Sequence, residues 1–398
     1  MKNKILFISN SIVGKNPGIS GGESRFIELG KNWQKKGYEI HLMSSESGKI
    51  LCEKMGLKVI LHRIPSSYSE GRWEIIKRTI QLLFYVPTIL EEFKEGIVYS
   101  TSEQIYDVWP GVFLKLYRGK NIKFVSAVHW LPPWFFWLRK SSTWLNSMLF
   151  LMSERAGLYL AFIFSDKLFP VSKDTFYDMK KNMISGNKIH IVKCGVNIDE
   201  IIDIKKKVFG TKGESHKNIV VNKKYDAVFM KRIQRVKGIF DLIEIWEQVV
   251  KQKNDASLLI IGSGIDENEA KRIVNEKGLE NNVKFTGAVY SAKEKYSYIM
   301  QSKLFLLPSY EENWAIVIGE SLACGTPVIA YNLYELEEVW EDSIEFVELS
   351  DISAFTVRVI KLLNDDNVLK DKSIRGEEYI KRYDWEQIAD MEIELINK

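Results

Sequence analysis

The chain has 398 residues, too many for one ordinary core and suited to two domains of roughly 150–200 residues each. Apolar residues make up 45% and charged residues 27%, which excludes a disordered or repetitive fibrous chain. Lys and Arg number 56 against 52 Asp and Glu, a net +4, so bulk charge gives no reason to expect a nucleic-acid partner.

The N-terminus is basic, but its apolar run stops after about five residues, too short for a signal segment, and reads as a first buried strand. Strands are predicted over 5–9, 39–43, 58–64, 97–100, 124–129, 168–172 and 189–194. The second half adds 227–230, 257–261, 283–285, 304–307, 327–331 and 345–349. These runs are almost continuously apolar, as strands covered on both faces of a parallel sheet must be. Helical patterns lie between them, for example Ile239, Leu242, Ile243, Trp246, Val249 and Val250 at spacings of three and four. The order βαβα occurs twice over. The expected architecture is α/β, with two Rossmann-like doubly wound domains. Domain limits are expected at 1–203 and 204–383, with 203–217 as linker and a last helix, 384–398. The apolar stretch 145–164 is cut by Ser153-Glu154-Arg155, so no unbroken membrane span is predicted. Three scattered cysteines, Cys52, Cys194 and Cys324, build no disulfide framework and fit a cytoplasmic location. No His-x-x-x-His pair or Asp-x-Asp triplet offers a metal site, so no metal cofactor is expected.

The most informative segment is 306–330, Leu-Leu-Pro-Ser-Tyr-Glu-Glu-Asn-Trp-Ala-Ile-Val-Ile-Gly-Glu-Ser-Leu-Ala-Cys-Gly-Thr-Pro-Val-Ile-Ala. A strand ends at Pro308-Ser309, and a helix is predicted from about Trp314 to Ala323, with Gly325 and Pro327 closing it. A helix start beyond a strand's carboxyl end offers backbone amides and a positive dipole end to a phosphate. Glu312 and Glu320 are eight residues apart, slightly over two turns, which would place both carboxylates near one helix face. Carboxylates accept hydrogen bonds only and suit sugar hydroxyls. Alone, such a pair equally suits a helix cap and a solvated glutamate. The strand–turn–helix frame favours the site.

A second cluster, Met230-Lys-Arg-Ile-Gln-Arg-Val-Lys-Gly238, puts Arg232 and Lys237 at a strand-to-helix junction. Two fixed cations there can neutralise a diphosphate, although a solvated basic turn has the same composition. Lys231 and Arg235 add charge without a clear role. The loop 18–25 contains Gly21 and Gly22, a turn whose amides can approach a phosphate or a merely open loop. His129 ends a strand, where a histidine binds a sugar hydroxyl or is simply packed in the core. Residues 130–140 include Trp130, Trp134, Trp137, Arg139 and Lys140, with Lys115, Arg118, Lys120 and Lys123 before them. Rings beside cations suit a peripheral membrane contact, ring stacking on an acceptor sugar, or core packing.

These residues together resemble the group 1 (family 4) retaining glycosyltransferases of the GT-B fold. The resemblance is strongest over 227–330. It extends through Gly21-Gly22, His129, Val171-Ser172, Cys194-Gly-Val-Asn197, Gly262-Ser-Gly264 and Phe285-Thr-Gly287. It implies that Arg232 and Lys237 grip a donor diphosphate and Glu320 holds the nucleotide ribose. Glu312 and the amides of Asn313, Trp314, Ala315 and Ile316 would meet the donor sugar. Gly21 and Gly22 would approach a phosphate, His129 would lie near the sugar, and the last helix would cross back to the first domain. The reaction implied is metal-independent transfer of a hexose-type sugar, with retention, from a nucleotide diphosphate sugar to a glycan or lipid-linked acceptor at the inner face of the cell membrane. A nucleotide-sugar epimerase, a phosphorylase and a non-catalytic nucleotide-sugar binding subunit are the competing readings. The chain departs from the family pattern at Lys231, where glycine is usual, and at Asn313 and Ala315, which replace glycines. Cys194 and Asn197 stand for the usual Asn and Asp.

Overall fold

The computed structural model describes residues 3–12, 21–64, 72–131, 144–210 and 219–398. It divides into two compact units, Met1–Cys194 with Trp385–Lys398, and Gly195–Asp384.

The first unit holds β1 (Lys4–Ile8), α1 (Gly21–Lys35), β2 (Glu39–Ser44), α2 (Glu46–Lys54), β3 (Ile60–Arg63) and α3 (Arg72–Glu92). It continues through β4 (Gly96–Ser100), α4 (Ile105–Arg118), β5 (Ile122–Val128), α5 (Trp144–Phe164), β6 (Lys167–Pro170) and α6 (Lys173–Lys181). The six strands are parallel in the order β3-β2-β1-β4-β5-β6. Ile5, Leu6, Phe7 and Ile8 are all fully buried, which explains why the strands read as apolar runs without alternation. The expected strand 189–194 is not one. Ile189 makes only an isolated bridge to Leu168, and the backbone of 190 and 192 bonds to Leu168 and Pro170 as irregular edging.

The second unit holds α7 (Ile198–Phe209), β7 (Tyr225–Met230), α8 (Ile239–Gln252), β8 (Leu258–Ile261), α9 (Glu267–Glu276), β9 (Val283–Gly287) and α10 (Ala292–Met300). Then follow β10 (Ser302–Leu307), α11 (Ile316–Ala323), β11 (Val328–Tyr331), α12 (Tyr334–Trp340), β12 (Glu345–Val347), α13 (Ile352–Leu363) and α14 (Asp366–Ile380). Its sheet is again parallel, β12-β11-β10-β7-β8-β9. The last helix, α15 (Trp385–Asn397), belongs to the first unit. There the Trp33 indole N–H of α1 donates to Ala389 O at 2.9 Å.

The unit boundary falls at 194/195, and the first residues of the expected linker, 203–209, are the second half of α7. Ile201 and Ile204 bury one face of that helix. Asp199 and Glu200 sit at its N-terminal end and Lys206 and Lys207 at its C-terminal end, complementing the dipole. The rest of the expected linker, 211–218, lies outside the described residues.

Candidate functional site

In each sheet the chain reverses its winding direction once, between β1 and β4 in the first unit and between β7 and β10 in the second. Ligands of open α/β sheets bind beyond the strand ends at such switch points. Both sets of predicted residues follow strands at or next to these points.

In the second unit, β7 and β10 lie side by side, so the segments after Met230 and Leu307 meet. The Tyr310 N–H donates to Val236 O at 3.0 Å and joins the two loops. Gly238 adopts φ 75°, and a Cβ there would stand 1.6 Å from Pro308 O. Only glycine permits this approach, which brings Lys237 onto the Pro308-Ser309 turn. The Glu312 carboxylate is gathered from three sides. Oε1 accepts from Lys237 Nζ at 3.1 Å and from Ser309 Oγ at 2.8 Å, and Oε2 accepts from Lys231 Nζ at 2.8 Å. Burial alone would raise the Glu312 pKa, but the two ammonium groups and Ser309 outweigh it and hold the group at about 2. Lys237 also donates to Glu311 O. Its own pKa is lowered, first by burial, then by the Lys231 and Arg232 charges against the opposing pull of Glu312. Arg232 is exposed.

The helix expected from Trp314 begins two residues later, at Ile316, because Ala315 takes a left-handed conformation, φ 51° and ψ 64°. Glu312 therefore sits in the preceding loop, and the argument that placed it with Glu320 on one helix face fails. The Trp314 side chain is buried in the second unit. It is 3% exposed and packs edge-on against Trp340, at 4.7 Å between centroids, and Tyr383, at 5.5 Å. The Trp340 N–H takes up Trp314 O. Ile316 is the first residue of the helix, and its N-cap residue, Ala315, makes no side-chain cap bond. Asn313 precedes it in the loop. Glu320 lies in the second turn of α11, where Oε1 accepts from Lys295 Nζ at 2.7 Å and Tyr296 Oη at 3.2 Å. Lys295, Tyr296 and Ser309 carried no sequence signal as site residues, because their pairing depends on which elements become neighbours.

In the first unit, Gly21 and Gly22 are the first two residues of α1, and residues 13–20 before them lie outside the described set. A Cβ on Gly22 would stand 3.3 Å from His129 Nε2, so the helix start and the imidazole lie together. His129 follows β5, and the turn after β4 supplies its partners. Nε2–H donates to Thr101 O at 2.9 Å, and the backbone N–H donates to Glu103 Oε2 at 2.9 Å. Burial, with the Arg25 charge, pushes His129 down to about 4. The imidazole is therefore neutral near pH 7, with Nδ1 as its acceptor nitrogen. Of the aromatic stretch 130–140, residues 132–140 lie outside the described residues.

The comparisons agree with this layout. The model of the family described as Glycosyltransferase Family 4 matches residues 19–200, and that of Glycosyl transferases group 1 matches 211–379. N-acetyl-alpha-D-glucosaminyl L-malate synthase of Bacillus anthracis is 22% identical over 376 residues, 92% of this chain and 90% of its own length. Sucrose-phosphate synthase from Thermosynechococcus elongatus superposes with a TM-score of 0.74 at 18% identity, covering 99% of this chain and 98% of that one. Anabaena HepE in complex with UDP-glucose has a TM-score of 0.71 at 17% identity, covering 99% of each chain. The two parallel six-stranded α/β units, with these likenesses, make the fold GT-B, and the chain belongs to the group 1, family 4 glycosyltransferases.

Proposed function

We propose that this glycosyltransferase moves a hexose-type sugar, with retention and without a metal ion, from a nucleotide diphosphate sugar to a hydroxyl of a glycan or lipid-linked acceptor, in cell-envelope or glycan biosynthesis. The observation that carries the reading is the convergence of Lys237, Lys231 and Glu312, with Arg232 beside them, at the β7/β10 switch point. The glucose of the HepE complex supports the sugar class.

As the anomeric carbon loses its bond to the diphosphate, negative charge grows on the departing oxygens. Lys237, Arg232 and the amides at the Ile316 helix start stabilise it where it forms. Glu320 turns from Lys295 to the nucleotide ribose, and Glu312 receives hydroxyls of the sugar. The acceptor oxygen bonds to the anomeric carbon on the face the diphosphate leaves, and its proton passes to a departing phosphate oxygen, so no enzymic nucleophile is needed. Peripheral membrane contact fits the exposed apolar side of α5, where Trp144 (63% exposed), Met152 and Ile163 lie outward.

A thermal-shift screen of UDP-, GDP- and ADP-sugars, followed by hydrolysis and transfer assays of the best donor with and without EDTA, tests the reading. It predicts a selective donor whose turnover survives EDTA. A trapped glycosyl-enzyme adduct, or turnover abolished by EDTA and restored by a divalent cation, would overturn the corresponding part.

A further inference from the structure

Lys231 follows β7 directly and spends its ammonium on Glu312, 81 positions away, rather than on solvent. The pair is nearly buried, with side chains 18% and 5% exposed. The carboxylate has two cationic partners, one on each oxygen, and they are not equivalent. Lys237 belongs to the loop bent by Gly238 and also donates to Glu311 O, whereas Lys231 bonds Oε2 from the strand end. A buried carboxylate that loses its only cation carries a large uncompensated desolvation cost. With Lys237 as its sole partner, Glu312 would resist giving that lysine up to an anion. With Lys231 in place it keeps a charged partner when Lys237 turns away.

Charge arithmetic agrees. Lys231, Arg232 and Lys237 against Glu312 leave an excess of two positive charges, which matches the two negative charges of a diphosphate diester. Without Lys231 the excess is one.

We propose that Lys231 is a positioning residue of the donor site: it holds the Glu312 carboxylate through Oε2 and so releases Lys237 to the donor diphosphate. This rests on the donor-site reading above. It assigns a function to the cation that stands where the family pattern has glycine, and it makes Glu312 a permanently ionised group flanked by one fixed and one transferable lysine.

The test is a double-mutant cycle read by calorimetric titration with UDP, GDP and ADP, and by thermal unfolding without ligand. Lys231→Met should weaken binding of the preferred nucleoside diphosphate by about 10–100-fold, the range expected when a hydrogen bond to a charged group is lost. Lys231→Arg should retain most of it. Lys231→Met with Glu312→Gln should bind as tightly as Glu312→Gln alone, because a neutral amide needs no cation. Without ligand, Lys231→Met should lower Tm, and adding Glu312→Gln should recover most of the loss. Wild-type binding by Lys231→Met overturns the proposal. So does a double variant as weak as Lys231→Met, which would mean that Lys231 touches the diphosphate itself. If Lys237→Ala binds as well as wild type, the donor-site reading fails instead. The ligand-free cycle still decides whether Lys231 pins Glu312: no recovery of Tm overturns it.

Discussion

Arg25 and Glu392, 367 residues apart, meet at 2.6 Å inside the first unit, with side chains 1% and 0% exposed. The Arg25 guanidinium also donates to the Tyr99 hydroxyl at 3.0 Å, and that hydroxyl donates to the other Glu392 oxygen. The triad fastens the last helix, α15, to α1 and β4. Glu392→Ala leaves a cation buried without its counter-charge and should cost about 3–5 kcal/mol in urea unfolding. Arg25→Met combined with Glu392→Leu should cost far less. A single variant within 1 kcal/mol of wild type would mean that the pair does not hold the helix.

Gly238 and Gly278 form a natural comparison. Both have positive φ, 75° and 66°, but a Cβ on Gly238 meets Pro308 O whereas one on Gly278 meets nothing within 4 Å. Gly278→Ala should cost about 1 kcal/mol in stability and leave sugar transfer unchanged. Gly238→Ala should displace the Lys237 turn and lower donor kcat/KM at least about tenfold, a loss of 1.4 kcal/mol or more in transition-state binding. Equal activities of the two variants would contradict the geometry.

Ala315 is a non-glycine residue in the left-handed region at the start of α11. The conformation costs an L-residue about 1–2 kcal/mol, so its replacement of a family glycine is not a mild change. Ala315→Gly should relieve that strain and raise Tm by about 2–4 °C per kcal/mol recovered. A lower melting temperature would show that the buried methyl contributes more than the strain costs.

Burial pushes three carboxyls of the first unit upward, Glu103 and Asp107 to about 7 and Glu154 to about 8. Their folded pKa values exceed those of the unfolded chain, so the folded state binds more protons across this window. Stability is therefore lost as pH rises from about 4.5 towards 8. His129, held at about 4, acts in the opposite sense, but only up to about pH 6.5, the ordinary histidine value. Above that pH the acids dominate, and Lys223, lowered to about 8 by burial, opposes them as pH nears 8. The protein should be less stable at pH 8 than at pH 6.5, and Glu154→Gln should be more stable than wild type at pH 8 while matching it near pH 5. A wild-type stability that rises from pH 6.5 to 8 would contradict these assignments.

The sheets were legible in the sequence because strands buried on both faces leave unmistakable apolar runs. The run 189–194 has that composition but lies at an edge beside β6, where its backbone bonds irregularly, and composition does not distinguish the two cases. The helix start after Pro308 was misplaced because Trp314 looks like the first turn of an amphipathic helix. Its packing on Trp340 and Tyr383 is set by residues 26 and 69 positions away. The cations of the donor loop were visible as residues, but which of them Glu312 would hold was not. Lys231 and Glu312 become neighbours only because β10 inserts beside β7. Long-range pairs of this kind, like Arg25 with Glu392, follow from strand order rather than from local spacing.

The central claim is that Lys237 and Glu320 of the second unit act on the donor of a sugar transfer. Its most direct measurement is kcat/KM for transfer from the preferred nucleotide sugar by purified Lys237→Ala and Glu320→Ala. Each should fall about 10²–10³-fold, the loss of roughly 3–4 kcal/mol of transition-state stabilisation, while circular dichroism shows a native fold. Near-normal transfer by both folded variants would contradict it.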